Sequence, residues 1–477
     1  MSANMTSDRK PASLTEGAIA PHVLWLAFPM LWGLLAVSIN ILADTYFVAQ
    51  LGTSALAALS FIFPVMMVVQ SIAVGMGVGA ASVIARAIGE GDQRKVNRLT
   101  TDSLILSLLF VGAVIVLGLT TIDPLFKSLG AEPDVLEEIR GYMHIWYFGM
   151  VFVVVPIVGS SAIRATGDTR TPSLIMSGGS AVNVILDPIL IFGLFGFPQL
   201  GLEGAALASV TSRATTFTAA LLILHFRDRM IDTAWPKLYD VVASWKGIIY
   251  VGAPAAATTM ITPLSMGFVT SLMAGFGAEA VAGFGVVSRI ETLAIIPFMA
   301  LAFGVAPFVG QNWGAQAYAR VYRATQICYL YCMICGVVAA LALSAFARPL
   351  IGLFDSDPTV VDVATTYLFL VPVTYGTFGI MLTASSIFSS LGNPLPTVVM
   401  TVARTFVLYV PLAYLGAWLC GVTGAFAAAG VANICVGAGA YLWSRRLRYP
   451  PDNKARAWLP AHKKRRQKRH RWETDPM

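Results

Sequence analysis

Charged residues are scarce in this sequence. Of its 477 residues, 12% are Asp, Glu, Lys or Arg, whereas soluble domains average about 25%. Hydrophobic residues make up 57% of the chain, and its mean hydropathy is +0.72. These values exclude a disordered protein, an ordinary nucleic-acid binder and a typical soluble enzyme. They favour a polytopic membrane protein.

Cysteine and histidine are also scarce, with five of each. Cys328, Cys332 and Cys335 share one face of an apolar segment, and no His is spaced to complete a zinc pattern with them. A membrane enzyme would gather His, Cys or acidic motifs at one membrane face, and a channel would ring its pore with acids. Neither pattern occurs, so we expect no enzymatic activity and no cofactor.

Long apolar runs dominate the rest of the chain. A transmembrane helix needs about 20 apolar residues, and the sequence contains twelve such runs. The segment before the first run is polar and lacks a signal-peptide core, which predicts that this run is an uncleaved anchor. The runs cover 22–49, 55–86, 97–121, 138–164, 172–196, 202–226, 245–274, 280–312, 321–346, 361–390, 396–418 and 423–444.

The distribution of basic residues predicts the orientation. Alternate connections, counted with both termini, hold 26 of the 32 Lys and Arg, whereas the opposite connections hold three. By the positive-inside rule, both termini are cytoplasmic. The formal net charge of +7 is concentrated in the tail, because 445–477 carries twelve basic and three acidic residues. Such a tail is expected to be disordered and to contact anionic lipid rather than nucleic acid.

An internal repeat relates the two halves of the chain. The 225-residue shift that places Gly52 on Gly277 also superposes further pairs along several runs. The other glycine pairs are Gly79 with Gly304, Gly89 with Gly314, and Gly167 with Gly392. A slip to 220 then places Gly201 on Gly421. The repeat predicts two parallel six-helix lobes with a substrate site between them, an arrangement that transporters use.

Two acidic residues of the first half, Asp44 and Asp187, lie far from the basic ends of their apolar runs and inside the predicted membrane. Asp44 follows Asn40 by four residues and Asp187 follows Asn183 by four, so each Asn shares a helical face with its Asp. Both acids fall in the outer half of the membrane by helical rise. Buried carboxylates beside amides can bind a proton or a small hard cation such as Na⁺. The alternative is that Asp44 lies at the interface and Asp187 caps a kink at Pro188.

Further candidate residues surround this proposed site or lie in the second half. Ser160, Ser209 and Thr211 are candidate extra ligands for the cation. In the second half, Glu291 and Arg289 are candidates for lining a cavity, although residues two apart on a helix do not face each other. Glu291 could instead pair with a basic residue on another helix. Apart from Na⁺, we predict no metal, and the many Met and aromatic residues suit a cavity for varied organic ligands.

Several segments resemble the multidrug and toxic compound extrusion (MATE) family. In the first half they are ADTYFVAQLGTSALAALS from position 43, ARAIGEGD at 85–92, RATGDTRTP at 164–172, NVILDP at 183–188 and GLEGAALAS at 201–209. In the second half they are SRIE at 288–291, GQNWGA at 310–315 and SLGNPLPT at 390–397. The resemblance spans 22–444. The segments GAPAAATTMITPLSMGF in the seventh run and LVPVTYGTFGIMLTASSIF in the tenth lack the acids that one branch carries there, which favours the DinF-like branch.

The resemblance implies an all-α protein with twelve helices, two six-helix lobes and a V-shaped cavity. It implies efflux of cationic or amphipathic organic compounds in exchange for H⁺ or Na⁺, with Asp44, Asp187 and Asn183 matching the family's N-lobe site. We therefore expect a monomeric multi-pass exporter in the inner, cytoplasmic membrane. A flippase for lipid-linked oligosaccharide is the alternative, and it requires a basic central cavity. The expected segments are 1–21 (cytoplasmic), 22–226 (N-lobe), 227–244 (linker), 245–444 (C-lobe) and 445–477 (tail).

Overall fold

The computed structural model describes residues 14–232, 238–355 and 357–446. Most of the predicted N-terminal segment, the middle of the linker and nearly all of the basic tail therefore lie outside the described residues. Within those ranges the chain is helical. The α-helices are α1 Ile19–Ala49, α2 Thr53–Gly89, α3 Gln93–Ser128, α4 Pro133–Gly149, α5 Val151–Ala165, α6 Arg170–Phe192, α7 Gly201–Leu222, α8 Leu238–Ala274, α9 Ala278–Gly314, α10 Tyr318–Ala345, α11 Ala347–Ile351, α12 Pro358–Leu370, α13 Tyr375–Ser390, α14 Leu395–Val402 and α15 Val410–Arg445.

The described helices form twelve spans. Ten segments are long and apolar enough to cross a membrane, and α4 with α5 adds an eleventh that bends by 42°. One of the ten covers Leu395–Arg445, whose 51 residues would extend about 76 Å, more than twice the ~30 Å hydrocarbon core. Its backbone leaves the helical conformation at Cys420 and Gly421, so it comprises two spans. The predicted twelve-span fold is confirmed.

Breaks within the spans place polar groups inside the bundle. A 3-10 turn at Pro372–Thr374 separates α12 from α13, because proline cannot donate the helical hydrogen bond. A π-helical segment, Ala403–Tyr409, joins α14 to α15. Segments of this kind are often found at functional sites. In this protein the two breaks border the same group of buried polar side chains.

The spans are arranged in two lobes whose cores meet at α1 and α8. The N-lobe comprises α1 to α7 and the C-lobe comprises α8 to α15. We call the end of the bundle that holds Ile19, Gly89 and Gly314 the basic end, and the end that holds Ala49 and Phe192 the acidic end. Buried apolar side chains fill each lobe, and Leu14 and Val23 of the N-terminal region pack into the C-lobe core.

Four repeat-related glycines bring the lobes into close contact. A methyl group at Gly89 would overlap the carbonyl oxygen of Gln311, and one at Gly314 would overlap that of Arg86. Arg86 and Gln311 are themselves related by the 225-residue shift. Gly79 and Gly304 likewise meet the first helix of the opposite lobe, at α8 and α1 respectively. The lobes therefore contact each other through a reciprocal pair of surfaces, as parallel repeats require.

Hydrogen bonds between the lobes also gather at the basic end. Ser82 donates to the carbonyl oxygen of Ser389 over 2.6 Å, and Arg86 donates to that of Leu391 over 3.1 Å. Gln311 donates across the interface to the carbonyl oxygen of Ala165 over 2.9 Å. These bonds close the bundle at the basic end.

Candidate functional site

A buried acid is the centre of the N-lobe site. Asp187 is fully buried on α6, and Asn183 one turn earlier is 2% exposed. The Asn183 amide donates to one carboxylate oxygen of Asp187 over 3.0 Å. The other oxygen, Oδ2, is buried without a hydrogen-bond partner among the described residues. Since an unbonded buried carboxylate oxygen is energetically costly, this atom is suited to bind a proton or a cation.

Helix α1 brings a second acid to the same region. Asp44 is half-buried, and its charge acts on Asp187 across the contact between α1 and α6. Asn40, one turn before Asp44, has a buried side-chain oxygen without a hydrogen-bond partner in the described ranges. The four predicted residues thus lie on two adjacent helices, with unsatisfied oxygen atoms on each.

Tyr142 is a residue of this region that the sequence analysis missed. It is buried on α4, and the charges of Asp44, Asp187 and Arg213 all act on it. Its hydroxyl donates to the thioether sulfur of Met66 at 3.8 Å, a weak interaction. The internal repeat could have identified Tyr142 from the sequence, because the 225-residue shift places Tyr142 on Tyr367 and Met66 on Glu291.

The predicted extra ligands are not bonded to the acids. Ser160 and Ser209 are half-buried and Thr211 is exposed. Within the described residues, no hydrogen bond joins any of the three to Asp44 or Asp187. The backbone carbonyl of Ser209 instead accepts from the hydroxyl of Ser212 over 3.0 Å. The structure therefore gathers the acids and amides of the predicted site without these hydroxyls.

A second polar cluster lies inside the C-lobe. The Tyr367 hydroxyl donates to Oε2 of Glu291 over 2.7 Å, and the charge of Arg404 acts on the same carboxylate. Nε of Arg404 donates to Asn433 over 2.8 Å, and Asn433 donates to Thr374 over 3.0 Å. We call Glu291, Tyr367, Thr374, Tyr375, Arg404, Tyr409 and Asn433 the C-lobe cluster.

The two cavity candidates of the C-lobe are in different surroundings. Glu291 is half-buried within the C-lobe cluster, whereas Arg289 is exposed two residues earlier on α9. The charge of Arg404, on another span, acts on Glu291, but the two side chains form no ion pair, so the alternative interpretation of a paired acid stays a prediction. Among the described residues, no group of three His, Cys, Asp or Glu side chains is placed to hold a metal ion.

Comparisons with known proteins agree with this architecture. Twelve apolar spans in two repeat-related lobes, with acids buried inside each lobe, define a membrane transporter. The MatE family model matches 29–189 and 254–415, two segments whose starting positions are related by the same shift as the repeat. The chain belongs to the multidrug and toxic compound extrusion (MATE) family, whose members are transporters rather than enzymes.

Three relatives illustrate the range of similarity. A protein from Shewanella oneidensis named FAD transporter is 34% identical over 437 residues, covering 92% of this chain and 97% of the relative. A probable multidrug resistance protein NorM from Thermotoga maritima is 26% identical, covering 79% of this chain and 83% of the relative. The crystal structure of the Vibrio cholerae MATE transporter VcmN in the bent form superposes with a TM-score of 0.85 at 29% identity, covering 90% of this chain and 97% of VcmN. The placement nearer the DinF-like branch stays a prediction.

Proposed function

We propose that this protein is a secondary antiporter that exports organic compounds in exchange for H⁺ or Na⁺. The observation that carries the proposal is the fully buried carboxylate of Asp187, which has one oxygen bonded to Asn183 and one without a partner among the described residues. A bound proton or cation would satisfy that oxygen. The charge of Asp44 nearby makes the site more attractive to a positive ion.

The coupling residues have distinct proposed roles. Asp187 holds the ion, and Asn183 orients its carboxylate through the 3.0 Å hydrogen bond. Asp44 and Asn40, on α1, add oxygen atoms and connect ion occupancy to the position of that helix. Ion binding and substrate binding would then favour different positions of α1, which is the differential interaction that coupling requires.

The closed end of the bundle supports a proposed direction of ion entry. Most basic connections lie at the basic end, so we place that end and both termini in the cytoplasm of a bacterial cell. The bonds from Ser82 and Arg86 close this end, so we propose that ions reach the site around Asp187 from the acidic end. Ion entry from outside would drive substrate release there. The basic tail would contact anionic lipid, and we propose a monomer.

The names of the relatives suggest two candidate substrate classes. Cationic or amphipathic drugs are favoured by the relatives named multidrug resistance proteins. A flavin dinucleotide is favoured by the FAD transporter, which matches 92% of this chain at 34% identity. A lipid-linked oligosaccharide flippase would need a basic cavity between the lobes. Arg213 interacts with Tyr142 and Arg404 with Glu291, each within its own lobe, which leaves Arg289 as the remaining basic candidate and argues against that alternative.

Flux measurements in liposomes test the coupling. Purified protein would be reconstituted with an ethidium-type cation or FAD inside, and export would be followed under an imposed pH gradient or an imposed Na⁺ gradient, each alone. We expect one gradient to drive flux in the wild type and neither to drive it in Asp187→Asn. Asp134→Asn is the matched control, since Asp134 is exposed at the acidic end. Wild-type coupled flux in Asp187→Asn would refute the proposal.

A further inference from the structure

The C-lobe cluster contains two opposite charges that do not touch. Glu291 and Arg404 interact electrostatically, yet no oxygen–nitrogen pair between them lies within 4.0 Å. Each is held by its own partners. Tyr367 donates to Glu291, while Arg404 donates to Asn433 and stacks on the Phe378 ring with 4.5 Å between guanidinium and ring centre. Hydrogen bonds to other residues thus fix both side chains, and no hydrogen bond or ion pair joins Glu291 directly to Arg404.

A third group in the cluster also lacks a partner. The Tyr375 side chain is fully buried, and its hydroxyl forms no hydrogen bond of normal geometry among the described residues. Its polar neighbours are the Glu291 carboxylate and the Tyr367 hydroxyl, which already bond to each other. A buried hydroxyl without a partner is costly and points to a missing group. The cluster therefore offers an acceptor at Glu291, donors at Arg404 and either role at Tyr375.

The equivalent position in the N-lobe has no carboxylate. The 225-residue shift places Met66 on Glu291 and Tyr142 on Tyr367, and the 220-residue shift places Arg213 on Asn433. In the N-lobe the tyrosine hydroxyl meets a thioether, 3.8 Å away, in place of a carboxylate. The Glu291 carboxylate thus has no counterpart at the equivalent N-lobe position, and the fold alone does not require it.

We propose that the C-lobe cluster binds a planar group that carries an N–H donor beside a carbonyl acceptor, such as the imide edge of a heteroaromatic ring. The N–H would donate to Glu291 and the carbonyl would accept from Arg404, so that one ligand bridges both charges. A simple cation would be repelled by Arg404 and a simple anion by Glu291. The aromatic rings of Tyr367, Tyr375 and Phe378 favour a flat ligand.

Tyr409 connects the cluster to the outside of the lobe. It lies in the π-helical segment, and the charges of Glu291 and Arg404 both act on its hydroxyl group. Its side chain also lines a small apolar crevice with Phe268 and Val269 of α8. The proposal rests on the proposed function only in taking the protein to bind small organic compounds.

Equilibrium binding to a matched pair of imides tests the proposal. Lumiflavin is fluorescent and carries a free imide N–H, whereas N3-methyl-lumiflavin has the same ring with that donor blocked. With wild-type protein in lipid nanodiscs, we expect the methylated ring to bind at least about tenfold more weakly, because a site built for a hydrogen bond rejects an analogue that lacks it. Failure of lumiflavin to bind, or equal binding of the two rings, would overturn the proposal.

Variants identify the contact atom. In Glu291→Leu the ratio of the dissociation constants of the two rings should fall to about one. Met66→Leu, at the repeat-equivalent position, should keep the wild-type ratio. Tyr375→Phe removes only a hydroxyl and should weaken lumiflavin binding severalfold in a protein that elutes as the wild type does. A ratio that persists in Glu291→Leu would place the ligand elsewhere and refute the assignment.

The same measurements separate this inference from the proposed function. Asp187→Asn should lose gradient-driven flux and retain the tenfold preference for lumiflavin. Loss of the preference in Asp187→Asn would place the ring at the N-lobe site and overturn the inference. Coupled flux of another compound, together with no discrimination between the two rings, would overturn the inference and leave the antiporter intact.

Discussion

Gly89 packs directly against the backbone carbonyl of Gln311, and its repeat partner Gly314 packs in the same way against Arg86. The contact needs no side chain at either glycine, because the helices approach until only a hydrogen atom fits between them. We expect Gly89→Ala and Gly314→Ala to force the lobes apart at the basic end. Overpacking of this kind costs about 1–3 kcal/mol, so the closed state should lose population by about fivefold or more.

The distance between two spin labels would measure that change. Arg94 on α3 and Arg323 on α10 are exposed at the basic end, one in each lobe, and both would be replaced by labelled cysteine in a cysteine-free background. Each alanine variant should broaden the distribution toward longer distances. Gly112→Ala is the control, since a methyl group there meets nothing within 4 Å. An unchanged distribution in both variants would contradict the role of these glycines.

Asn433 connects α15 to two other parts of the C-lobe, and its loss should destabilise the protein. It is 2% exposed, accepts from Arg404 over 2.8 Å and donates to Thr374 over 3.0 Å. Asn433→Leu would leave the Arg404 Nε donor unpaired, at a cost of about 1.5–3 kcal/mol. Thermal unfolding in detergent should show a lower midpoint than wild type. Asn97→Leu, which loses only an exposed hydrogen bond to Gln93, should stay close to wild type.

The loop between α5 and α6 should contribute a pH-dependent stability. Partial burial of Asp168 acts to raise its pKa, but hydrogen bonds from Thr171 and Arg227 outweigh burial and hold the pKa below the ordinary value. The relevant distances are 3.0 Å to the Thr171 backbone N–H and 2.8 Å to Arg227. The folded state therefore favours the charged form. The stabilisation from charged Asp168 is present above the unfolded-state pKa of about 3.9 and is lost as the pH falls through the folded-state pKa.

Comparing the wild type with Asp168→Asn would isolate that contribution. At pH 7 we expect the variant to be less stable by about 0.5–1 kcal/mol, since the ion pair is partly exposed. The difference should shrink as the pH is lowered below about 4, because protonated Asp168 no longer attracts Arg227. Unfolding midpoints between pH 3 and pH 7 would show this convergence. A difference that stays constant across this range would mean that the charge of Asp168 contributes nothing.

The sequence predicted the fold and one of the two polar clusters. Apolar runs long enough to cross the hydrocarbon core can only be spans, and a constant shift over several runs can only be a repeat. Asp187 was found because an acid inside such a run stands out. The C-lobe cluster was harder to predict from the sequence, because Tyr367, Arg404 and Asn433 lie on three different spans with no shared spacing. The break at Pro372–Thr374 and the π-helical segment each contribute residues to this cluster, and neither is visible in the pattern of apolar runs.

The repeat held more information than its glycines alone. The shift that relates Gly79 to Gly304 also relates Tyr142 to Tyr367, and it places Glu291 where the first half has Met66. A search for positions where one half is charged and the other is not would have identified Glu291 directly. The same search would have identified Arg404, because the 225-residue shift places it on the uncharged Gly179, but it would not have shown that Arg404 lies near Glu291.

The reciprocal glycine contact has the form of a homodimer joined into one chain. A surface that fits a copy of itself needs no second, complementary surface, so a single six-span unit bearing the equivalents of Arg86 and Gly89 could already pair with its twin. Once two such units are fused, the lobes are free to diverge everywhere except at this contact. This accounts for a molecule whose two halves meet through matching glycines and differ in the acids that they bury.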